Sequence, residues 1–167
     1  MTKTVTHIDC PKEWESTNDW DSHRPLLYVA LNNTEKGIIE FGCGDGSTDL
    51  LRNHKHAGFK FLSFENNKEW ASKFGSKTGF KKYLELPNVD TGMIFIDSAP
   101  GEERKYLIAK HNMTADVIVV HDTEEGAEYV YGMKEILSTF KYRLDYQPLG
   151  KPHTTAVSNF IDLTNWL

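Results

Sequence analysis

Cysteine is scarce in this chain, and long apolar runs are missing. The two cysteines are Cys10 and Cys43, and Cys43 lies in a glycine-rich loop that a disulfide would distort. No run of about 18 apolar residues occurs, and the polar segment over residues 1–11 lacks the apolar core and cleavage site of a secretion signal. We therefore expect two free thiols in the reducing cytoplasm, in a protein that is neither secreted nor membrane-spanning.

An excess of positive charge is missing as well. The chain has 19 Lys and Arg residues against 24 Asp and Glu residues, a formal net charge of -5, and no segment is dominated by basic residues. Proteins that bind nucleic-acid backbones carry basic surfaces that neutralise the phosphates. The composition therefore disfavours nucleic acid as a substrate or partner.

Internal repeats, low-complexity tracts and Pro/Ser-rich linkers are absent too, so nothing in the sequence divides the chain. Its 167 residues, of which 39% are hydrophobic, can bury a real core but are too few for two full domains. We expect residues 1–167 to form a single domain.

Apolar strand-like segments alternate with helix-like segments along the chain. The pattern predicts helices over residues 24–31, 47–54, 68–74, 102–111 and 129–140, and strands over residues 37–41, 59–64, 80–86, 93–97, 116–121, 142–147 and 154–161. Such alternation is typical of a parallel sheet covered by helices on both faces, and the last two strands form a hairpin. The sequence predicts an α/β fold of three layers, an α/β/α sandwich.

A glycine-rich loop follows the first of these strands. The segment runs Glu-Phe-Gly-Cys-Gly-Asp-Gly-Ser over residues 40–47. Glycines let the main chain turn sharply and lie against a ligand, and the helix that follows points free N–H groups at it. The spacing differs from the G-x-G-x-x-G fingerprint of dinucleotide sites, which disfavours an NAD-dependent oxidoreductase.

The motif Glu-x-Gly-x-Gly-x-Gly resembles the first motif of class I S-adenosylmethionine-dependent methyltransferases. Two later segments, Ile-Asp-Ser-Ala-Pro-Gly over residues 96–101 and Val-His-Asp-Thr over residues 120–123, are most similar to those of small O-methyltransferases. The resemblance implies a Rossmann-like, mostly parallel sheet of seven strands with an antiparallel strand in the C-terminal hairpin. It also implies methyl transfer to a small-molecule acceptor, and S-adenosylmethionine held by Glu40, Gly42, Cys43, Gly44, Gly46 and Ser47.

An acid also closes the second strand, where Glu65 is followed by Asn66. Nucleotide-binding folds place a carboxylate at about this distance after the loop, on the ribose hydroxyls. The resemblance assigns Glu65 to the ribose of the cofactor, with Asn66 beside it. Glu85, at the end of the predicted third strand, is either an adenine contact or a solvated acid.

Three polar residues end the fourth and fifth strands: Asp97, His121 and Asp122. In the methyltransferase fold these strands flank the transferred methyl group, so the resemblance makes all three catalytic candidates and places Asp97 at the cofactor as well. His121 titrates near neutrality and is a candidate general base. The alternative is a histidine that is paired with a neighbouring carboxylate and only orders the loop.

The same strand ends resemble the metal site of catechol-type O-methyltransferases, with Asp97 and Asp122 as ligands of Mg²⁺. Carboxylates suit Mg²⁺, which would lower the pKa of an acceptor hydroxyl. The lysine and asparagine usual in those enzymes are replaced here by Pro100-Gly101 and Thr123. A metal-free methyltransferase is therefore the alternative.

Other charged and aromatic residues carry weaker hypotheses. Arg104 begins a helix and is either a capping charge or a contact for an acidic substrate. The leading segment holds Trp20, which either covers a ligand or anchors the segment, and Arg24, which either binds a carboxylate or is a capping charge. Asp21 and His23 lie beside them. Acceptor specificity is expected from residues 123–131 and 148–153, or from a second subunit that closes the site. A non-catalytic S-adenosylmethionine-binding protein stays open as an alternative function.

Overall fold

The computed structural model describes residues 1–54, 60–79, 83–84 and 90–167. Its strands are β1 (Thr2–Val5), β2 (Ile38–Phe41), β3 (Phe61–Glu65), β4 (Lys77–Thr78), β5 (Thr91–Ile96), β6 (Ala115–His121), β7 (Tyr142–Tyr146) and β8 (Thr154–Ser158). Its helices are α1 (Arg24–Asn32), α2 (Thr48–Asn53), α3 (Lys68–Phe74), α4 (Arg104–His111), α5 (Glu125–Val130) and α6 (Lys134–Ser138). Short 3-10 turns lie at Lys12–Trp14, Asp19–Asp21, Gly101–Glu103 and Leu163–Asn165.

The eight strands form one sheet in the order β1-β7-β8-β6-β5-β2-β3-β4. Strand β8 runs antiparallel to both of its neighbours, β6 and β7, and the other pairings are parallel. Chain order reverses between β2 and β5, because β3 and β4 extend the sheet one way while β6 extends it the other. In open α/β sheets a ligand crevice forms at such a reversal, beyond the carboxyl ends of the strands.

Hydrophobic clusters on both faces of the sheet make the core. Side chains of β5 alternate between them, with Phe95 in the cluster that contains Leu27 of α1 and Ile94 in the cluster that contains Leu107 of α4. All six residues of β5 are buried. Parallel strands covered on both faces require apolar residues at successive positions, which explains the unbroken apolar run that marks this strand in the sequence.

The predicted α/β architecture, with its mostly parallel sheet and C-terminal hairpin, is confirmed. The sheet has one strand more than the seven expected, because β1 adds a parallel edge strand beside β7. This strand is short and alternates between exposed and half-buried residues, as edge strands often do. It therefore lacks the apolar run that marks the central strands.

Two other predicted elements differ from the structure. The helix predicted over residues 129–140 is two helices, α5 and α6, separated at Gly132, which has a φ of 66°. The strand predicted over residues 80–86 lies largely outside the described residues, as does Glu85. Its described residues, Tyr83 and Leu84, are helical, and the strand beside β3 is β4. None of the helices in the described ranges is long and apolar enough to cross a membrane.

Candidate functional site

The register of four strands brings the polar strand ends together. Phe41 of β2 pairs with Phe64 of β3 on one side and with Ile96 of β5 on the other, and Ile96 pairs with Val120 of β6. Each of these apolar residues is followed by a residue that the sequence singled out. These are Gly42, Glu65, Asp97 and His121, which therefore line one edge of the sheet at the same level.

The glycine loop is held in place by Glu40, which is completely buried. Its carboxyl group accepts hydrogen bonds from the hydroxyls of Ser47, Thr48 (3.0 Å) and Ser63 (2.6 Å). Burial raises the pKa of Glu40 to about 7, although the hydroxyl donors act in the opposite direction. Glu40 therefore holds the loop to β3 and α2 from a fully buried position.

Ser47 stands at the N-cap of α2, but its hydroxyl does not cap the helix. It donates to Glu40 instead. The hydroxyl of Thr48 accepts from the N–H of Gly44 at 2.9 Å, so the loop and the first turn of α2 share one hydrogen-bond network.

Glu65 lies on the other side of the loop. Its Oε2 accepts from the N–H of Cys43 at 3.1 Å, and its Oε1 accepts from the N–H of Asn67 at 2.8 Å. The thiol of Cys43 also donates to Oε2 at 3.7 Å. A carboxylate has about four lone-pair positions, so Oε1 in particular retains capacity for a ligand hydroxyl. Asn66 bonds to the carbonyl of Ala99 at 3.1 Å and so ties this strand end to the loop after β5.

Arg24, in the segment that precedes β2, also binds the glycine loop. Arg24 donates from Nε to the carbonyl of Gly46 (2.9 Å) and from Nη2 to the carbonyl of Asp45 (3.1 Å). Asp21 pairs with Arg24 at 3.2 Å and is itself held by the N–H and hydroxyl of Thr17. Arg24 is therefore engaged with the loop, whereas the sequence suggested a carboxylate ligand or a cap.

Arg104 joins the two aspartates that follow β5 and β6. It lies buried with Nη2 at 3.3 Å from Asp97 and 3.2 Å from Asp122. It also donates to the carbonyls of Ser98 and His121, and its guanidinium stacks on Tyr131 at 4.9 Å. Arg104 is thus neither an exposed capping charge nor free for an acidic substrate.

The two aspartates themselves reach the surface. Side-chain exposure is 26% for Asp97 and 27% for Asp122. Asp122 has a φ of 53°, in the left-handed region that aspartate tolerates better than most residues. Burial acts to raise the pKa of Asp97, but His121, His23 and Arg104 outweigh it and hold the pKa well below the usual range.

His121 is buried, and both of its ring nitrogens have partners. Nδ1 lies 3.3 Å from Asp97 and 3.5 Å from Asp122, and Nε2 lies 2.8 Å from the hydroxyl of Ser22. Burial acts to lower the pKa of His121, but the Asp97 and Asp122 carboxylates outweigh it, and the pKa is raised. This geometry favours the alternative in which His121 orders the site rather than meeting the acceptor.

His23 lies against the same group and is 1% exposed. Its ring packs on Phe95 and His121, with a centroid distance of 4.8 Å to each. Burial, and then the charge of His121, lower its pKa to about 3, although Asp97 opposes this. His23 is therefore neutral, and the sequence assigned it no specific role.

The segments expected to recognise an acceptor also meet here. Ser22 donates to the carbonyl of Pro152, and the N–H of Thr123 donates to the carbonyl of His153 at 3.2 Å. The leading segment, the end of β6 and residues 148–153 are therefore docked together. Trp20 is 87% exposed in this region, which excludes a role as a buried anchor.

A comparison with protein-family models finds no match to this sequence, and a comparison with curated protein sequences finds none. Solved structures do match the fold. An O-methyltransferase from Bacillus cereus in complex with S-adenosylhomocysteine aligns with a TM-score of 0.63 and 16% identity, over 79% of this chain and 77% of the other. The O-methyltransferase TomG from Streptomyces achromogenes, in complex with S-adenosylmethionine, aligns with a TM-score of 0.56 and 16% identity, over 79% and 76%.

A third match is an S-adenosylmethionine-dependent O-methyltransferase from Thermotoga maritima, with a TM-score of 0.59 and 11% identity over 81% of this chain and 64% of the other. This chain has the class I methyltransferase fold. At these identities the likeness establishes the fold, and the predicted resemblance in architecture is confirmed.

Within this methyltransferase fold, the predicted residues fall into two groups. The first group is the loop itself, with Gly42, Cys43, Gly44 and Gly46, and Glu65 bound to it. The second group lies at the ends of β5 and β6 and consists of Asp97, His121 and Asp122. Sequence reasoning missed the roles of Arg24, Arg104 and Ser22. Their side chains act on main-chain carbonyls and on residues far away in the chain, and a local pattern carries no signal of such contacts.

Proposed function

We propose that this protein transfers a methyl group from S-adenosylmethionine to a small-molecule acceptor, with an oxygen atom as the favoured target. The observation that carries the proposal is the common register of Gly42, Glu65 and Asp97 at the point where strand order reverses. A glycine loop, an acid after β3 and an acid after β5 stand at the strand ends where open α/β sheets bind their ligands. The matching O-methyltransferase structures with bound S-adenosylmethionine or S-adenosylhomocysteine support the same proposal.

The residues in and around the loop have two roles, contact with the cofactor and support of the loop. Gly44 has nothing closer than 4.0 Å to the position of a side chain, so a ligand can approach the main chain there. Glu65 is oriented by Cys43 and Asn67 and would accept the ribose hydroxyls. Glu40, Ser47 and Arg24 hold the loop in shape through their hydrogen bonds.

S-adenosylmethionine supplies an electrophilic methyl group on a sulfonium. The chain must then orient an acceptor oxygen and accept its proton. Asp97 and Asp122 have the exposed carboxylates at this position, whereas His121 is enclosed by Ser22 and the two acids. We therefore assign orientation of the acceptor to Asp97 and Asp122 and proton acceptance to Asp122, because the neighbours of Asp97 hold it ionised. We assign to His121 and Arg104 the positioning of the two carboxylates.

The magnesium ion that the catechol-type resemblance implies fits this arrangement poorly. Arg104 bridges Asp97 and Asp122 through one nitrogen, Nη2, at 3.3 and 3.2 Å. Its guanidinium thus provides the positive charge between the two carboxylates that a shared Mg²⁺ would provide. The sequence prediction of Mg²⁺ at Asp97 and Asp122 is tested by adding Mg²⁺ to the chelator-stripped protein, which we expect to leave turnover unchanged.

Thermal unfolding with added ligand tests the cofactor assignment. S-adenosylhomocysteine should raise the melting temperature, and NAD should not. Glu65→Ala should weaken S-adenosylhomocysteine binding by about 1–3 kcal/mol, because charge-assisted hydrogen bonds are lost. Stabilisation by NAD alone would refute the methyltransferase proposal.

Formation of S-adenosylhomocysteine from S-adenosylmethionine, measured over a panel of hydroxylated small molecules, tests for catalysis. Asp122→Asn should lower the rate without changing affinity for S-adenosylhomocysteine, because Asp122 lies on the acceptor side. Tight cofactor binding without turnover on any acceptor would favour the non-catalytic alternative.

A further inference from the structure

Two buried histidines and one carboxylate form a cluster beside the glycine loop. One possible ligand atom from each of His23, Asp97 and His121 lies within 4.8 Å of the other two. The nearest pairs are His121 Nδ1 with Asp97 Oδ1 at 3.3 Å and His23 Nδ1 with Asp97 Oδ2 at 4.0 Å. Four-coordinate ligands at about 2.0–2.1 Å from a metal lie roughly 3.4 Å apart, so small side-chain shifts would complete a site.

His23 is the member of this cluster whose ring nitrogens have no hydrogen-bond partner of normal geometry among the described residues. It is 1% exposed. A buried polar group without a partner costs free energy, and such groups in native proteins usually have an ion or water partner. The Nδ1 of His23 is directed at Asp97, where an ion would satisfy it.

The second nitrogen of each imidazole, Nε2, faces another part of the protein. The Nε2 of His121 contacts the hydroxyl of Ser22 at 2.8 Å. The Nε2 of His23 faces Gly46, since a side-chain carbon at position 46 would lie 3.2 Å from it. Metal-bound histidines usually direct their second nitrogen at such an outer group, which fixes the ring with its other nitrogen toward the metal.

We propose that His23, Asp97 and His121 bind one divalent transition-metal ion, of the zinc or cobalt type. Two imidazoles with one carboxylate are borderline ligands that select such ions, whereas Mg²⁺ prefers oxygen ligands throughout. Asp97 is partly exposed, so the remaining coordination positions face the crevice. Binding replaces the proton between His121 Nδ1 and Asp97, and that proton leaves to solvent.

The charges around the cluster act in both directions. Arg104 lies 3.3 Å from Asp97 and opposes a cation, while Asp122 lies 3.5 Å from His121 and favours one. The site differs from the magnesium site predicted from the sequence, because it keeps Asp97 and replaces Asp122 by two histidines. It does not depend on methyl transfer, and metal binding can be measured without any cofactor.

Cobalt titration of the untagged, chelator-stripped protein tests the site. We expect one Co²⁺ per chain with visible absorption, displacement by Zn²⁺, and no displacement by excess Mg²⁺. His23→Ala should lower the Co²⁺ affinity by about a hundredfold or more, since even outer-shell changes cost 10–100-fold. The control is His7→Ala, because His7 is exposed and pairs with its near neighbour Asp9 at 3.0 Å. It should leave the affinity unchanged.

A ligand exchange keeps the test decisive if His23→Ala does not fold. His23→Cys should still bind Co²⁺ and add a sulfur-to-cobalt charge-transfer band, which a structural role for His23 would not produce. Circular dichroism without metal establishes that each variant is folded. The proposal is overturned if the parent protein binds no Co²⁺, if folded His23→Ala binds it equally well, or if folded His23→Cys shows no new band.

Discussion

Gly42 presses so closely on Asp97 that a Cβ at position 42 would lie 2.2 Å from the Asp97 carbonyl oxygen. Gly42 also has a φ of 89°, which residues with a side chain rarely adopt. The ends of β2 and β5 therefore meet through the one residue type that allows the contact. The close approach sets the distance between the glycine loop and the carboxylate of Asp97.

Gly42→Ala should accordingly lower the free energy of unfolding by at least about 3 kcal/mol, from backbone strain and the clash together. Urea denaturation of both proteins measures the change. Gly126→Ala is the matched control, because a Cβ there meets nothing within 4 Å and the position is helical. It should leave stability unchanged or raise it by about 0.5 kcal/mol. Equal stabilities for the two variants would contradict the close approach.

Arg24→Lys should weaken binding of S-adenosylhomocysteine without unfolding the protein. Lysine keeps a positive charge near Asp21 but lacks the fork that reaches the carbonyls of Gly46 and Asp45. We expect a loss of about three- to tenfold in affinity by calorimetry. Arg52→Lys, which changes an arginine of α2 paired with Asp49, should bind normally. A normal affinity for Arg24→Lys would show that the loop holds its shape without Arg24.

The sequence could predict the sheet and the polar strand ends because both depend on local patterns. Phe41, Ile96 and Val120 are apolar residues directly followed by polar or glycine positions, and parallel strands bring such ends to one edge. The edge strand β1 left no apolar run. The helix predicted over residues 129–140 is divided at Gly132, whose φ of 66° suits glycine and follows the end of α5. This glycine was the feature of the sequence that could have predicted the break.

The contacts that complete the site depend on tertiary packing, which one sequence does not encode locally. Arg104 reaches Asp122 across 18 positions, and Ser22 reaches His121 across 99. Periodicity places each residue on an element but does not say which side chains from different elements meet. The cluster of His23 with Asp97 and His121 could therefore be found only in the structure.

Glu40 should make stability fall as the pH rises. Its folded pKa, about 7, lies above its ordinary value of 4.5, so the folded protein holds this proton when the unfolded chain has lost it. Stabilisation by the protonated form is complete below pH 4.5 and is lost as the pH rises to about 7, by roughly 3 kcal/mol. Glu40→Gln removes this dependence. The stability of the parent minus that of the variant, measured by urea denaturation, should fall over this range. A constant difference would contradict the raised pKa.

His111 should have the opposite effect at acidic pH. It is fully buried, and its Nε2 lies 2.7 Å from the hydroxyl of Tyr83. Burial, and then the charge of Lys110, lower its pKa from 6.5 to about 4. The unfolded chain therefore binds a proton that the folded protein refuses. The contribution of His111 is complete above pH 6.5 and is lost as the pH falls to about 4. His111→Gln keeps an acceptor for Tyr83 and does not titrate. Between pH 6.5 and 4 the parent should lose stability relative to His111→Gln, measured by urea denaturation at each pH. A stability difference that stays constant over this range would show that folding does not lower the pKa of His111.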